Sequence, residues 1–202
     1  MYIDKTLREY LNDLAAKKPA PGGGSAAALS ASIGAGLMSM VANYTVGNPK
    51  YRDSDEKIAP LLAKIEKLRD ELEDLIDKDV EAYNKLSKGM KVRGKNPAGH
   101  DELYKESVKA PFEICKLSFE CLKMCPDLAR YGNPNLITDT AIAAILLEGA
   151  FFSAKFNAFI NLKNVKDMKF IEMVAGTLSP LENEAPKLKE DILEMCEDVI
   201  SK

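Results

Sequence analysis

Pro19-Ala20-Pro21-Gly22-Gly23-Gly24-Ser25-Ala26-Ala27-Ala28-Leu29-Ser30-Ala31-Ser32-Ile33-Gly34-Ala35-Gly36-Leu37-Met38-Ser39-Met40-Val41-Ala42-Asn43 is the stretch on which the fold turns. Two prolines and three glycines make a hard break, and Ser25 can then cap a helix from about Ala26 to Val46. Ala26 to Asn43 is 18 residues without a charge, long enough to raise the question of a membrane span. The stretch is built of Ala, Gly and Ser, however, and its larger apolar groups are only Leu29, Ile33, Leu37, Met38, Met40 and Val41. Small residues let a second helix backbone approach closely. The expectation is a central, fully buried helix.

The rest of the chain is helical on both sides of this segment. Upstream, Asp4 can cap a helix from about Lys5 to Ala16, with Leu7, Tyr10, Leu11 and Leu14 on one face. Lys17 and Lys18 suit its C-terminus, and Pro19 ends it. Downstream, Gly47-Asn48-Pro49 closes the small-residue helix. A long charged helix follows over Ser54–Lys88, with Leu61, Ile65, Leu68, Leu72, Leu75, Ile76 and Val80 at three- and four-residue steps. Pro60 is expected to kink or split it near its start. Residues 89–99 read as a polar loop, and 101–125 as a helix bent near Pro111. Residues 126–134 give a short turn and a loop. Leu136–Leu162 is a second mostly apolar helix, whose only acids are Asp139 and Glu148. A last helix spans about Val165–Ser201, interrupted by Pro180 and Pro186.

No strand alternation, repeat or interdomain linker is visible, so the expected fold is all-α: a multihelical bundle with long helices and a single domain over residues 1–202. The helices at 26–46 and 136–162 have too little polar face for a small lone bundle. Burying them calls for a second copy, most simply as a symmetric homodimer.

Composition narrows the chemistry. Of 202 residues, 28 are Lys or Arg and 31 Asp or Glu, for a net charge of −3, which argues against a nucleic-acid partner. Apolar residues are 46%, enough for a sizeable core. His100 is the single histidine, so two-histidine zinc and iron sites within one chain are excluded, and no metal site is expected. Acids and bases must then be mostly Asp, Glu, Lys or Tyr. Cys115, Cys121, Cys125 and Cys196 form no C-x-x-C pair and read as small reduced hydrophobes. The polar start Met1-Tyr2-Ile3-Asp4-Lys5 shows no signal peptide, and a cytoplasmic location is expected.

Five blocks in order carry a resemblance. Pro19–Ala28 resembles the signature of the cyclodeaminase/cyclohydrolase family of folate enzymes. That family includes the C-terminal domain of bifunctional formiminotransferase-cyclodeaminase and stand-alone bacterial methenyltetrahydrofolate cyclohydrolases. Asp77-Lys78-Asp79-Val80-Glu81-Ala82-Tyr83 is similar to its D-x-D-x-E-A-F/Y helix, and Ala110-Pro111 to its small-residue–proline bend. Gly132-Asn133, Asp139 and Phe156-Asn157-x-x-Ile160-Asn161-Leu162 follow its C-terminal pattern. The likeness covers roughly residues 5–165. It implies an all-helical subunit interlocked with a second one, a folate substrate, and one-carbon chemistry with no metal or further cofactor. It also implies substrate-binding roles for Pro21, Gly22, Gly23, Gly24, Ser25 and Asn133. Asn48-Pro49-Lys50 replaces a more basic stretch, which leaves only Lys50 for any basic role there.

The expected reaction is hydrolysis of 5,10-methenyl-tetrahydrofolate to 10-formyl-tetrahydrofolate. Its alternative is the cyclodeaminase reaction, in which ammonia leaves a formimino carbon. A non-catalytic helical assembly protein is a third reading. Hydrolysis needs a base for the attacking water, a proton for the departing pterin nitrogen and negative charge near the methenyl cation, all within reach of carboxyl and amide groups. Asp139, in the first turn of an apolar helix, is the first candidate, although an acid there also suits the helix dipole. Asp77 and Asp79 are about 200° apart around a helix, so only one can face a given site. Asp79 and Tyr83 share a face, which makes Asp79 the second candidate. Asn157 and Asn161 are also four apart, and their amides offer donors and acceptors to a pterin edge. Gly22–Ser25 presents free backbone N–H groups at a helix start. Lys50, Tyr51 and Arg52 can hold the glutamate carboxylates of a folate. Asp139 and Asn157, 18 residues apart, lie on one face but ~27 Å apart along the axis. They serve opposite ends of the folate or meet across an antiparallel dimer contact, and the second is favoured.

Overall fold

The computed structural model describes residues 1–91 and 97–202, so part of the expected polar loop at 89–99 lies outside the described residues. Seven α-helices follow in order among them: α1 (Leu7–Ala15), α2 (Gly23–Asn43), α3 (Asp55–Lys91), α4 (Pro97–Leu122), α5 (Cys125–Tyr131), α6 (Ile137–Leu162) and α7 (Met168–Ile200). Short 3-10 turns at Pro49–Ser54 and Pro134–Leu136 lead into α3 and α6. The described residues contain no strand, in keeping with the all-α reading.

Four local readings need correction. The α1 cap is Thr6 rather than Asp4, in a reciprocal capping box with Glu9. The face of α1 turned inward carries Tyr10, its only buried residue, while Leu7 and Leu11 face outward. α2 starts three residues early, because Gly23, Gly24 and Ser25 form its first turn after Gly22 as cap. Pro180 and Pro186 do not interrupt α7, and Pro60 and Pro111 lie inside α3 and α4. A helix proline forfeits one backbone hydrogen bond but bends rather than stops a helix that packing holds. In α7 that packing comes from Val174, Leu178, Ala185, Ile192 and Cys196, all buried along one face.

α2 lies between α3 and α6, with α4 behind α6 and α7 along the outside of α4 and α6. The α2–α6 seam is close: a Cβ on Gly34 would come within 2.9 Å of Leu147 Cγ. Met38, Leu147 and Phe151 are fully buried there. By length and composition α2 and Pro134–Leu162 are each apolar enough to cross a bilayer. Most of α2 is covered, but α6 keeps one apolar face open. Ile142, Ile145, Phe156 and Ile160 project from it, Phe156 77% exposed, and Ile33 of α2 and Tyr44 just past its end are exposed as well.

Candidate active site

The N-terminus of α2, the C-terminal third of α3 and the C-terminal half of α6 converge, with Ser107 of α4 behind them, on a cavity of about 190 Å³. Pro19, Ala20, Gly22, Gly23, Gly24, Asp79, Val80, Tyr83, Leu86, Asn157, Ile160 and Asn161 complete its wall.

Asp79 is the charged group at its centre. Its Oδ2 accepts from the Ser25 backbone N–H at 2.9 Å, so a carboxylate on α3 caps the first turn of α2. The approach requires glycine. A Cβ on Gly24 would lie 2.5 Å from Asp79 Cγ and 2.7 Å from Oδ2. Burial pushes the Asp79 carboxyl up to about 6, and the Ser25 amide pulls the other way. The group therefore exchanges its proton near neutrality, as an acid–base catalyst must.

The two asparagines are oriented by backbone carbonyls. Asn157 Nδ2 donates to Ser153 O at 2.9 Å, and Asn161 Nδ2 donates to Ser107 O at 3.2 Å. Each amide keeps an acceptor and a second N–H for a ligand. Asn157 presses against Gly23, where a Cβ would stand 3.1 Å from Nδ2. Tyr83 sits at the lip, 45% exposed. Pro21 and Ser25 are buried directly behind the glycines.

Asp77 faces away, as the 200° separation requires. Its buried carboxylate accepts from the backbone N–H of Tyr2 at 2.6 Å and of Ile3 at 3.1 Å, pinning the N-terminal segment to α3. Tyr10 of α1 places its hydroxyl 3.1 Å from Ser25 Oγ. Sequence reasoning missed both Tyr10 and Ser107, because no local signal ties α1 or α4 to the glycine turn.

The remaining candidates lie at the other end of α2 and α6. Tyr51 O–H donates to Asn133 Oδ1 at 2.9 Å, and the Asn133 N–H donates to Thr45 Oγ1 at 2.9 Å. Half-buried Asp139 opens α6 and exposed Lys50 precedes Tyr51. Within one chain these groups do not reach the cavity. A wider groove of about 550 Å³ between α3, α4 and α7, floored by Leu75, Ala82, Phe112 and Phe170, holds none of the candidate residues. All four cysteines are buried, and burial raises the Cys115 and Cys121 thiols to about 12, so neither is a nucleophile at neutral pH.

Comparison with known proteins places this geometry. The formiminotransferase-cyclodeaminase family model matches residues 6–179. The methenyltetrahydrofolate cyclohydrolase of Methylorubrum extorquens is 31% identical over 205 residues, 98% of this chain and 99% of that protein. The formimidoyltransferase-cyclodeaminase of Rattus norvegicus is 30% identical over 91% of this chain, which spans 35% of that longer protein. The crystal structure of formiminotetrahydrofolate cyclodeaminase from Thermotoga maritima superposes with a TM-score of 0.91 at 28% identity, covering 99% of this chain and 100% of that one.

Proposed function

The chain belongs to the formiminotransferase-cyclodeaminase family, and we propose that it is a methenyltetrahydrofolate cyclohydrolase, an enzyme of folate one-carbon metabolism. The choice of reaction rests on the end-to-end match to a cyclohydrolase of the same length. The Thermotoga maritima neighbour supports formiminotetrahydrofolate cyclodeaminase as the second reading.

The chemistry follows from Asp79. In the methenyl substrate one carbon bridges two nitrogens as a delocalised cation, and the carboxylate stabilises that charge. Water adds to the carbon while Asp79 takes its proton. The adduct's hydroxyl proton then passes to the pterin-side nitrogen as the bond from that nitrogen to the carbon breaks, leaving the formyl group on the other nitrogen. Asp79 returns its proton to solvent. Asn157 and Asn161 read the pterin edge, and Gly22–Gly24 let it lie against the α2 backbone.

A cavity of 190 Å³ is smaller than the roughly 300–1,000 Å³ typical of sites that enclose a drug-sized ligand. It suits one end of a folate. The open face of α2 and α6 belongs in this reading to an antiparallel homodimer that brings the Tyr51–Asn133–Asp139 end of the partner subunit towards Asp79. There Asp139 serves as the second carboxylate, and Lys50 and Tyr51 meet the glutamate tail. The proposed enzyme is cytoplasmic and needs no metal, further cofactor, nucleic acid or membrane.

Loss of the near-ultraviolet absorbance of methenyl-tetrahydrofolate tests the assignment. The native chain should clear it, and Asp79→Asn or Asp139→Asn should lower turnover at least about tenfold. No loss, with ammonia released from formimino-tetrahydrofolate, would make the chain a cyclodeaminase. Neither activity nor folate binding would leave an assembly protein.

A further inference from the structure

We infer that Tyr10 is a positioning residue for the reaction, holding Asp79 in place through Ser25. The inference rests on the reading of Asp79 as the acid–base group.

Three contacts in series carry it. The Tyr10 hydroxyl meets Ser25 Oγ at 3.1 Å, and both residues are buried, Tyr10 at 4% exposure and Ser25 at none. Ser25 in turn gives its backbone N–H to Asp79 Oδ2 at 2.9 Å. That bond ties the carboxylate to the first turn of α2. Tyr10 is also the only fully buried residue of α1, with Leu14 partly buried beside the core.

Tyr10 is braced from behind. The Tyr2 ring packs edge-on against Tyr10 with centroids 5.7 Å apart, and the Tyr2 hydroxyl donates to Ala20 O at 3.2 Å, at the start of the glycine turn. Asp77, two residues from Asp79, clasps the backbone of Tyr2 and Ile3. The N-terminal segment thus grips both the turn that carries Ser25 and the helix that carries Asp79. Groups that orient a reacting side chain from behind commonly set its proton affinity and its aim.

The test is Tyr10→Phe, which keeps the ring and removes the hydroxyl. Among the described residues the other titratable group in the cavity wall is Tyr83 of α3, and Tyr10, Tyr2 and Asp77 lie behind the glycine turn. The walls from α2, α4 and α6 bring glycines, Ser107, Asn157, Ile160 and Asn161. The expected result is a fall in kcat of about tenfold with KM within about twofold, and an acid limb of the pH–rate profile displaced upward, because the Ser25 amide no longer holds the ionised form as firmly. Ser25→Ala removes the same contact from the other side and should match it. The double variant should be no worse than either single one, since both delete one interaction.

Exposed Leu7→Ala on α1 is the control and should keep native kcat and pH profile. A Tyr10→Phe or Ser25→Ala enzyme with native kcat and an unmoved acid limb would overturn the inference, as would losses that multiply in the double variant. A native chain with no turnover at all would instead remove the proposed reaction.

Discussion

Gly24→Ala separates stability from activity at the site. A methyl group at this position would overlap Asp79 Oδ1 and lie 2.5 Å from Cγ, and ordinary contact begins at 3.4 Å, so the carboxylate must retreat by about 1 Å or more. A shift of that size is enough to break its 2.9 Å bond with the Ser25 amide. Losing one buried hydrogen bond costs about 1–3 kcal/mol. Replacing glycine by alanine inside a helix returns up to about 1 kcal/mol. The net destabilisation is about 0–2 kcal/mol, a fall in Tm of at most about 8 °C at this chain length. Turnover should fall as well. Acid–base help is worth about 10²–10⁴ in rate, and displacing Asp79 forfeits part of it, so kcat should fall at least about tenfold in the methenyl-tetrahydrofolate absorbance assay. Gly176→Ala in α7 is the control. A Cβ there meets nothing within 4 Å, and the variant should gain about 0.5–1 kcal/mol with full activity. A folded Gly24→Ala protein with kcat within about threefold of native would refute the claim that the seat of Asp79 on α2 matters.

Two more outcomes follow from the same structure. The folded chain holds the Asp79 proton up to about pH 6, against an ordinary carboxyl value of 3.8, so folding binds this proton more tightly and stability falls as pH rises through that window, by at most about 3 kcal/mol. Asp79→Asn should therefore melt higher than the native chain at pH 7.5 and lose that advantage below about pH 4; equal melting at both would show that the charge is not desolvated. Phe156→Glu, at a side chain 77% exposed in the single chain, should leave folding intact and abolish the dimer in sedimentation; a variant that still dimerises, or a monomeric native chain, would remove the proposed contact.

Long amphipathic and small-residue patterns were legible because they repeat over many turns. The Leu136–Leu162 expectation differs from α6 by one residue at its start. The ends of α2 were not, for a physical reason. Gly23 and Gly24 are poor helix formers, and the carboxylate that caps their turn arrives from α3, more than fifty residues away. α1 misled for a similar cause. Its apolar residues repeat at helical steps, but Leu7 and Leu11 point outward, while Tyr10 finds its hydroxyl partner across the glycine turn. At the site, spacing alone grouped Asp79 with Tyr83 and Asn157 with Asn161, and the structure brings both pairs to one cavity. That Asp139 lies elsewhere followed from the 18 residues between it and Asn157.

That separation bears on how two copies would meet. On α6 the exposed Ile142, Ile145, Gly149, Ser153, Phe156 and Ile160 fall within about 80° of arc, a single stripe. A two-fold axis crossing at Gly149 sets Ile145 opposite Ser153 and Ile142 opposite Phe156, the isologous pairing a symmetric dimer requires. Gly149 suits the crossing, because no neighbouring atom lies within 4 Å of where its Cβ would be and a second backbone can come close. The same axis puts Asp139 level with Phe159, half a turn from Asn157 on the facing helix. In the proposed dimer the two polar ends of α6 are therefore complementary halves of each site, and the axial distance that separates them within one chain is what lets them meet between two.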